Sequence, residues 1–460
     1  MANRQFLGTT NTDFATASNW DGGSSLPSAS DNLQISSNCI LPANDSNVYG
    51  TLLIDSSKTF NIQTYNFSCG AITINGILKI SNSSANGLTC GGLDFKTGAK
   101  FDIAVSGKVH NSGNINITDN TTWQVSKRGD LIQTASANYS GVWSNASSWA
   151  GVTLSSSVTL SMVKNTMFII NGIHDIIFNN SSVFNINSYT VILDNNSSNL
   201  FKFDTNADIT GTGKFKLLLK GEIVLVNNRT SPFSITGSVG TATSGGLYSI
   251  FPAWDFSNAD VLLGYSSNSL ANRHLSAGTL KCKKFSIIPY STITQNIKCT
   301  GNPNFEISSD VLFDDSVATI NYTRGTGTIT LLSGNANIDF SKKLVEKIII
   351  NTTGTKTFTD NFSTSTFTLT SGTADFSSIS SSSLISDLVV NGTLKLDDTE
   401  KYVVTNISGS GTLENTGAGT VYLYYKSSNT FSGTLTNVVL VKVPNNKCCH
   451  YLGLGLRIKL

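Results

Sequence analysis

Short alternating strands that come back as near-copies of one another leave this chain few ways to fold. Ile74-Asn-Gly-Ile-Leu-Lys-Ile80 returns as Val390-Asn-Gly-Thr-Leu-Lys-Leu396. Ile209-Thr-Gly-Thr-Gly-Lys-Phe215 returns as Ile407-Ser-Gly-Ser-Gly-Thr-Leu413, and Val48-Tyr-Gly-Thr-Leu-Leu-Ile54 and Phe431-Ser-Gly-Thr-Leu435 share the same texture. Within each phrase apolar residues alternate with period two, which marks a half-buried strand. Glycine and polar residues separate the phrases at short intervals, and no stretch keeps a helical period over three turns. Lys342–Lys347 comes nearest to a helix, but it runs into Ile348-Ile-Ile350 and is read as strand.

A unit of two or three short strands cannot bury its own apolar face. Stacked units bury a continuous core. The expected fold is therefore all-β, a parallel β-helix (β-solenoid) of roughly 20–25 residues per coil. Tandem β-sandwiches are the alternative, since they also show closely spaced short strands. Asp339-Phe-Ser341 returns as Asp375-Phe-Ser377, and Ile348-Ile-Ile-Asn351 as Leu388-Val-Val-Asn391; the unequal spacings make the repeat length loose. Charged residues are 13% of the chain, against a usual ~25%. Ser, Thr, Asn and Gly take their place, suited to the polar face of a stack and to ladders between like positions on successive coils.

A second repetition concerns the ends of the stack. Phe14-Ala-Thr-Ala-Ser-Asn-Trp20 is echoed by Trp143-Ser-Asn-Ala-Ser-Ser-Trp149, with the aromatic pair six residues apart in both. A strand follows each copy, Leu33-Gln-Ile35 and Val158-Thr-Leu160. Unpaired strand edges recruit other chains, so a solenoid must cover its open end. Phe14, Trp20, Trp143 and Trp149 are assigned to that covering. A sugar-stacking platform is the competing use, disfavoured because the phrase precedes the strands both times. Pro27 and Asp31 are expected to set the turn into the first strand.

These signals divide the chain into a cap or anchor at 1–47, a first solenoid block at 48–137, a second at 138–330 that restarts with the aromatic phrase, a third at 331–445, and a tail at 446–460. In the tail Leu452, Leu454, Leu456, Ile458 and Leu460 alternate strictly, which reads as a terminal strand seeking a partner edge in its own chain or a neighbour's.

The residues point away from ordinary active sites. There is no G-x-S-x-G, H-E-x-x-H or Walker loop. His110, His174, His274 and His450 are scattered. The seven cysteines match no metal or disulfide template and read as buried free thiols; Cys448-Cys449-His450 lacks a full ligand set. No catalytic, cofactor-binding or metal-binding residue is assigned, and no cofactor. Asp314-Asp315 and Asp397-Asp398 could serve Ca²⁺ or carboxylate chemistry, but adjacent residues on a strand face opposite ways. Net charge is +2, without the basic stripe of a nucleic-acid binder. No run reaches the ~20 apolar residues that span a membrane, and the polar start Met1-Ala-Asn-Arg-Gln-Phe-Leu-Gly8 lacks the apolar stretch of a signal peptide.

The opening residues Met1-Ala-Asn-Arg4, Phe6-Leu-Gly-Thr9, Ala17-Ser-Asn-Trp20, Gly22-Gly23, Leu26-Pro27 and Ala29-Ser-Asp-Asn32 resemble the start of a group of tailed-phage structural proteins abundant in aquatic phages. Gln5-Phe6 stands where Tyr-Trp is usual and Leu33 where Val is usual. The likeness covers about the first 55 residues. It implies a virion surface or tail-fibre component, made in the host cytoplasm, with other virion proteins, further copies of itself and a host surface glycan as partners, and host adhesion as its use. A tailspike-like glycan depolymerase and a bacterial surface adhesin or surface-layer protein are the alternatives.

Overall fold

The computed structural model describes residues 1–80, 87–103, 107–117, 122–123, 130–140, 147–149, 151–170, 176–195, 200–219, 224–227, 231–243, 248–250, 254–263, 272–275, 278–289, 294–299, 301–332, 334–379, 384–397 and 402–443. Among them the regular structure is strand throughout, apart from one 3₁₀ turn at Ala17–Asn19. Pairings between neighbouring strands are parallel, so the chain is a β-solenoid and the tandem-sandwich alternative falls away. Two compact units divide it, Met1–Gly246 and Leu247–Leu460.

In the first unit, inward positions stack in register. Leu33 lies beside Leu52, Leu52 beside Ile72, Ile72 beside Leu93, Leu93 beside Ile115 and Ile115 beside Tyr139. All are buried. A second column runs Cys39, Phe60, Leu78, Phe101, and a third Phe67, Leu88, Val109, Leu131, Val152, Ile176. Period-two alternation dictates this, because residues i and i+2 share a face of the strand. Each buried Leu, Ile or Phe contributes about 1.5–3 kcal/mol, realised only when the next coil covers it.

The second unit repeats the plan. One buried column is Phe305, Ile329, Ile348, Phe367, Leu388, Ile407. Ile348 and Leu388 are thus two coils apart, with Phe367 between them. The longer spacing seen in the sequence is a double coil. Hydrogen-bonded partners in adjacent coils typically lie 19 to 26 residues apart. Lys342–Lys347 is no helix: Ser341 and Lys342 take left-handed φ of 45° and 59°, and strands Leu344–Val345 and Lys347–Phe358 follow.

At corners, a side-chain oxygen takes over from the backbone ladder. Asn32 Oδ1 accepts the Thr51 N–H, Asn114 Oδ1 that of Asn138, Asn165 Oδ1 that of Thr190, Asn304 Oδ1 that of Thr328, and Asn391 Oδ1 that of Ser410. Each joins one coil to the next, which accounts for the abundance of Asn. One ladder is internal: Asn111 Nδ2 donates to Gln133 Oε1 at 2.9 Å, and both residues are fully buried. Other corners are too tight for any side chain. A Cβ on Gly70 would lie 2.2 Å from the Gly50 carbonyl oxygen, and one on Gly113 1.7 Å from that of Gly91. Gly354, Gly372, Gly392, Gly411 and Gly433 form the matching column in the second unit.

The boundaries drawn from sequence at 138 and 331 fall inside unbroken ladders. Leu131 pairs with Val152 and Val152 with Ile176, while Leu331 pairs with Ile307 on one side and Ile350 on the other. On this face the described strands before and after the second aromatic phrase stack in one ladder, while strand Ser147–Trp149 is the first of its own sheet among the described residues.

Parity also carries a lysine inward. On Lys347–Phe358 the even-numbered positions 348, 350, 352, 356 and 358 are buried, and 356 is Lys. Its register neighbours are Ala336 and Ala374, whose small side chains leave room for its stem. Burial pushes the Lys356 amine down to about 8, partly opposed by Asp310. Between pH about 8 and the unfolded value of ~10.4 the unfolded chain holds a proton that the folded chain has released, so this residue's contribution to stability improves as pH rises through that window. Below pH about 8 its cost is constant. Lys356→Met is expected to stabilise the second unit at neutral pH by on the order of 2 kcal/mol. In denaturant melts, that advantage over wild type should shrink towards pH ~10; an advantage independent of pH would contradict the assignment.

The last described coil is less covered than those before it. Leu413 is fully buried, whereas its register partner Leu435 is 43% exposed.

Candidate functional site: the N-terminal aromatic cap

Strand Asn3–Phe6 is the first of the stack and pairs on one side with Asn32–Ile35. Its other edge would be open. The chain covers that edge by folding back: Trp20 bridges Phe6 antiparallel, Leu7 N–H donates to the Asn19 carbonyl at 2.7 Å and Asp21 N–H to the Gln5 carbonyl at 2.9 Å. This reversal of direction ends the parallel ladder at its first strand.

The six-residue spacing of Phe14 and Trp20 has a geometric cause. The turn Ala17–Asn19 bends the chain so that Trp20 Nε1 donates to the Phe14 carbonyl oxygen at 2.8 Å, within the core. The two rings meet edge to face at 5.0 Å, and Trp20 meets Phe6 the same way at 5.3 Å. Phe14 continues the cluster to Tyr49, Phe60 and Phe67. Phe14 and Trp20 are buried, at 4% and 1% exposure, which leaves neither ring face available to stack a sugar.

Asn19 holds the turn. It is fully buried. Its Oδ1 accepts the N–H groups of Thr10 and Asn11 at 2.9 and 3.1 Å, and its Nδ2 donates to Asn11 Oδ1 and the Asp13 carbonyl at 2.6 and 2.8 Å. Arg4 reaches from the first strand over the Gly22-Gly23 loop, bonding Asp21 Oδ1 at 3.0 Å and the Ser25 carbonyl at 2.8 Å. Gly22 and Gly23 take φ of 82° and 60°, which glycine adopts without strain. Asp31 closes the far side: its carboxylate accepts Ala2 N–H at 2.7 Å and Ser28 N–H at 2.9 Å. Those two backbone donors hold its carboxyl below the usual range.

The remaining residues singled out by sequence do not converge on this place. Trp143 and the tail residues Leu452, Leu454, Leu456, Ile458 and Leu460 lie outside the described residues. Trp149 is on strand Ser147–Trp149, which pairs with Thr166–Ile170. His174, Asp398 and Cys448-Cys449-His450 are also outside them. His110 is part-buried, and burial with Lys108 nearby lowers its pKa.

Asp314 and Asp315 sit after strand Val311–Phe313 instead of on a strand. Asp314 accepts the Ser316 N–H; Asp315 accepts Lys343 Nζ and Ser341 Oγ, both at 3.1 Å. Burial acts to raise the Asp315 pKa, but these two donors outweigh it and the net shift is downward. Among the described residues no three His, Cys, Asp or Glu side chains gather as metal ligands, and no helix is long and apolar enough to cross a membrane.

Cys39, Cys69, Cys90, Cys282 and Cys299 are all buried free thiols. Burial pushes Cys90 up to about 12 and the other four upward as well. Thiolate is the species that reacts. Iodoacetamide at mildly alkaline pH should therefore leave these five unlabelled in the folded chain and label all of them in denaturant. Peptide mapping reads the outcome, and native labelling of any of them would contradict their placement.

No protein-family model, curated protein or solved structure matches this chain.

Proposed function

We propose that the chain is a non-enzymatic structural protein of a virion, a surface or tail fibre or spike component used in adhesion to a host. The observation that carries the reading is the cap itself. It closes the first strand of a parallel stack, a plan suited to a repetitive scaffold. Among the residues on which the opening resembles tailed-phage structural proteins, Arg4, Asn19, Trp20, Gly22, Gly23 and Asp31 build this cap. A likeness confined to the opening is what a shared capping module ahead of a divergent stack would leave. Exterior ladders such as Asn406 Nδ2 to Asp387 Oδ1 at 2.6 Å and Asn116 Nδ2 to Asp94 Oδ1 at 3.0 Å add to a firm polar surface.

The test is a mass-spectrometric inventory of purified particles together with attachment of the labelled protein to host cells. The reading expects the chain among the virion proteins and saturable attachment. Its absence from the particles would overturn it.

A further inference from the structure

One corner of the second unit is cut into a cavity of about 400 Å³, lined by Cys299, Asn302, Arg324, Gly325, Thr326, Lys347 and Ser365. That volume is within the ordinary range of ligand sites. The other notable cavity, among Phe376, Leu394 and Tyr402, holds about 20 Å³ and is part of the core. The lining comes from successive coils: Asn304 is hydrogen-bonded to Thr328, Thr328 is in register with Lys347, and Ile348 with Phe367. Like positions therefore line up along the stack.

The floor is built from inside. Glu346 is fully buried where strand Leu344–Val345 turns into Lys347–Phe358. Its Oε1 accepts the Gly325 N–H at 2.8 Å and its Oε2 the Tyr322 hydroxyl at 2.6 Å; Cys299 Sγ donates to that hydroxyl oxygen at 3.1 Å. Asn302 Oδ1 accepts the Thr326 N–H at 2.9 Å. Both carboxylate oxygens of Glu346 are thus engaged by the floor. Among the described residues, neither Arg324 nor Lys347 forms an ion pair. Two cations on adjacent coils therefore face a notch whose other lining side chains are the Asn302 amide, the Thr326 and Ser365 hydroxyls and the Cys299 thiol, the last turned to Tyr322.

We propose that this notch binds an acidic saccharide. Arg324 and Lys347 pair its anionic groups, and Asn302, Thr326 and Ser365 bond its hydroxyls. Arg324 presents a planar fork suited to carboxylate or sulfate, and Lys347 a point charge. The lining has no aromatic side chain on which a base would stack, which disfavours single-stranded nucleic acid. The inference rests on the adhesion reading and names its ligand class.

The full chain is tested by biolayer interferometry against immobilised polygalacturonate, dextran sulfate, neutral dextran and poly(dT). Wild type should bind at least one acidic polysaccharide, weaken with added salt and ignore dextran. Binding to polygalacturonate or to dextran sulfate assigns carboxylate or sulfate as the charge. Arg324→Gln/Lys347→Gln should lose about tenfold or more in affinity, while Lys283→Gln, elsewhere on the surface, should not. Unchanged melting of the double variant confirms that it folds. Equal binding by wild type and double variant, no binding to either polyanion, or tighter binding to poly(dT) would overturn the site. Host-cell attachment is measured in parallel. Attachment undiminished in the double variant overturns the site and leaves the adhesion reading standing. Absent wild-type attachment, with polysaccharide binding intact, overturns the adhesion reading instead and leaves the site standing.

Discussion

Asn19→Ala is expected to destabilise the first coils by about 3 kcal/mol. The side chain is fully buried and meets Thr10, Asn11 and Asp13 through four hydrogen bonds. Alanine would leave those groups without their partner and release the turn that delivers Trp20 to Phe6. Asn19→Asp should be no milder at neutral pH, because its oxygen would replace Nδ2 opposite Asn11 Oδ1 and the Asp13 carbonyl. Trp20→Ala should cost about 3–5 kcal/mol, since the ring fills the cap between Phe6 and Phe14. The exposed edge should also promote association between chains. Denaturant melts read the stability loss, and light scattering reads the association.

The glycine column of the second unit should be almost as sensitive. A Cβ on Gly411 would lie 2.1 Å from the Gly392 carbonyl oxygen and 2.6 Å from the Asn391 carbonyl carbon. These are backbone atoms of the preceding coil, so no side chain can move aside. Gly411→Ala should cost about 3 kcal/mol or more, at the upper end of overpacking effects. Gly23→Ala is the comparison. Nothing lies within 4 Å of its added Cβ, and only the left-handed φ of 60° opposes it; that costs about 1 kcal/mol. Equal losses at the two positions would show that backbone conformation, and not coil-to-coil approach, governs the column.

Much of this was legible in the sequence because it is local. Period-two alternation at Ile72–Ile74 or Leu394–Leu396 sets which residues face inward, and parity along Lys347–Phe358 carried the signal that Lys356 turns in. The spacing of Phe14 and Trp20 spans a single turn. Features that depend on coil length were hidden. Ile348 resembles Leu388 more than it resembles the intervening Phe367, so alternate coils were matched and the repeat length read as loose. Asn391 and Ser410 look like ordinary turn residues until register joins them. Arg324 and Lys347 become neighbours only once the coils stack, and nothing in the sequence around Glu346 marks it as buried. The second aromatic phrase was legible only in part: on one face Leu131 and Val152 stack in register across it, while strand Ser147–Trp149, which carries Trp149, begins its own sheet among the described residues.

Peptide-resolved hydrogen exchange on wild type and Asn19→Ala tests the capped stack most directly. In wild type, Asn3–Phe6 and Asn32–Ile35 should be protected as strands paired on both sides. In the variant, protection should fall there first and then along Leu52–Ile54 and Phe67–Ile74, with Leu384–Val390 and Tyr402–Gly409 unchanged. Rapid exchange of Asn3–Phe6 in wild type, or a uniform loss across the chain in the variant, would contradict an edge closed by the aromatic phrase.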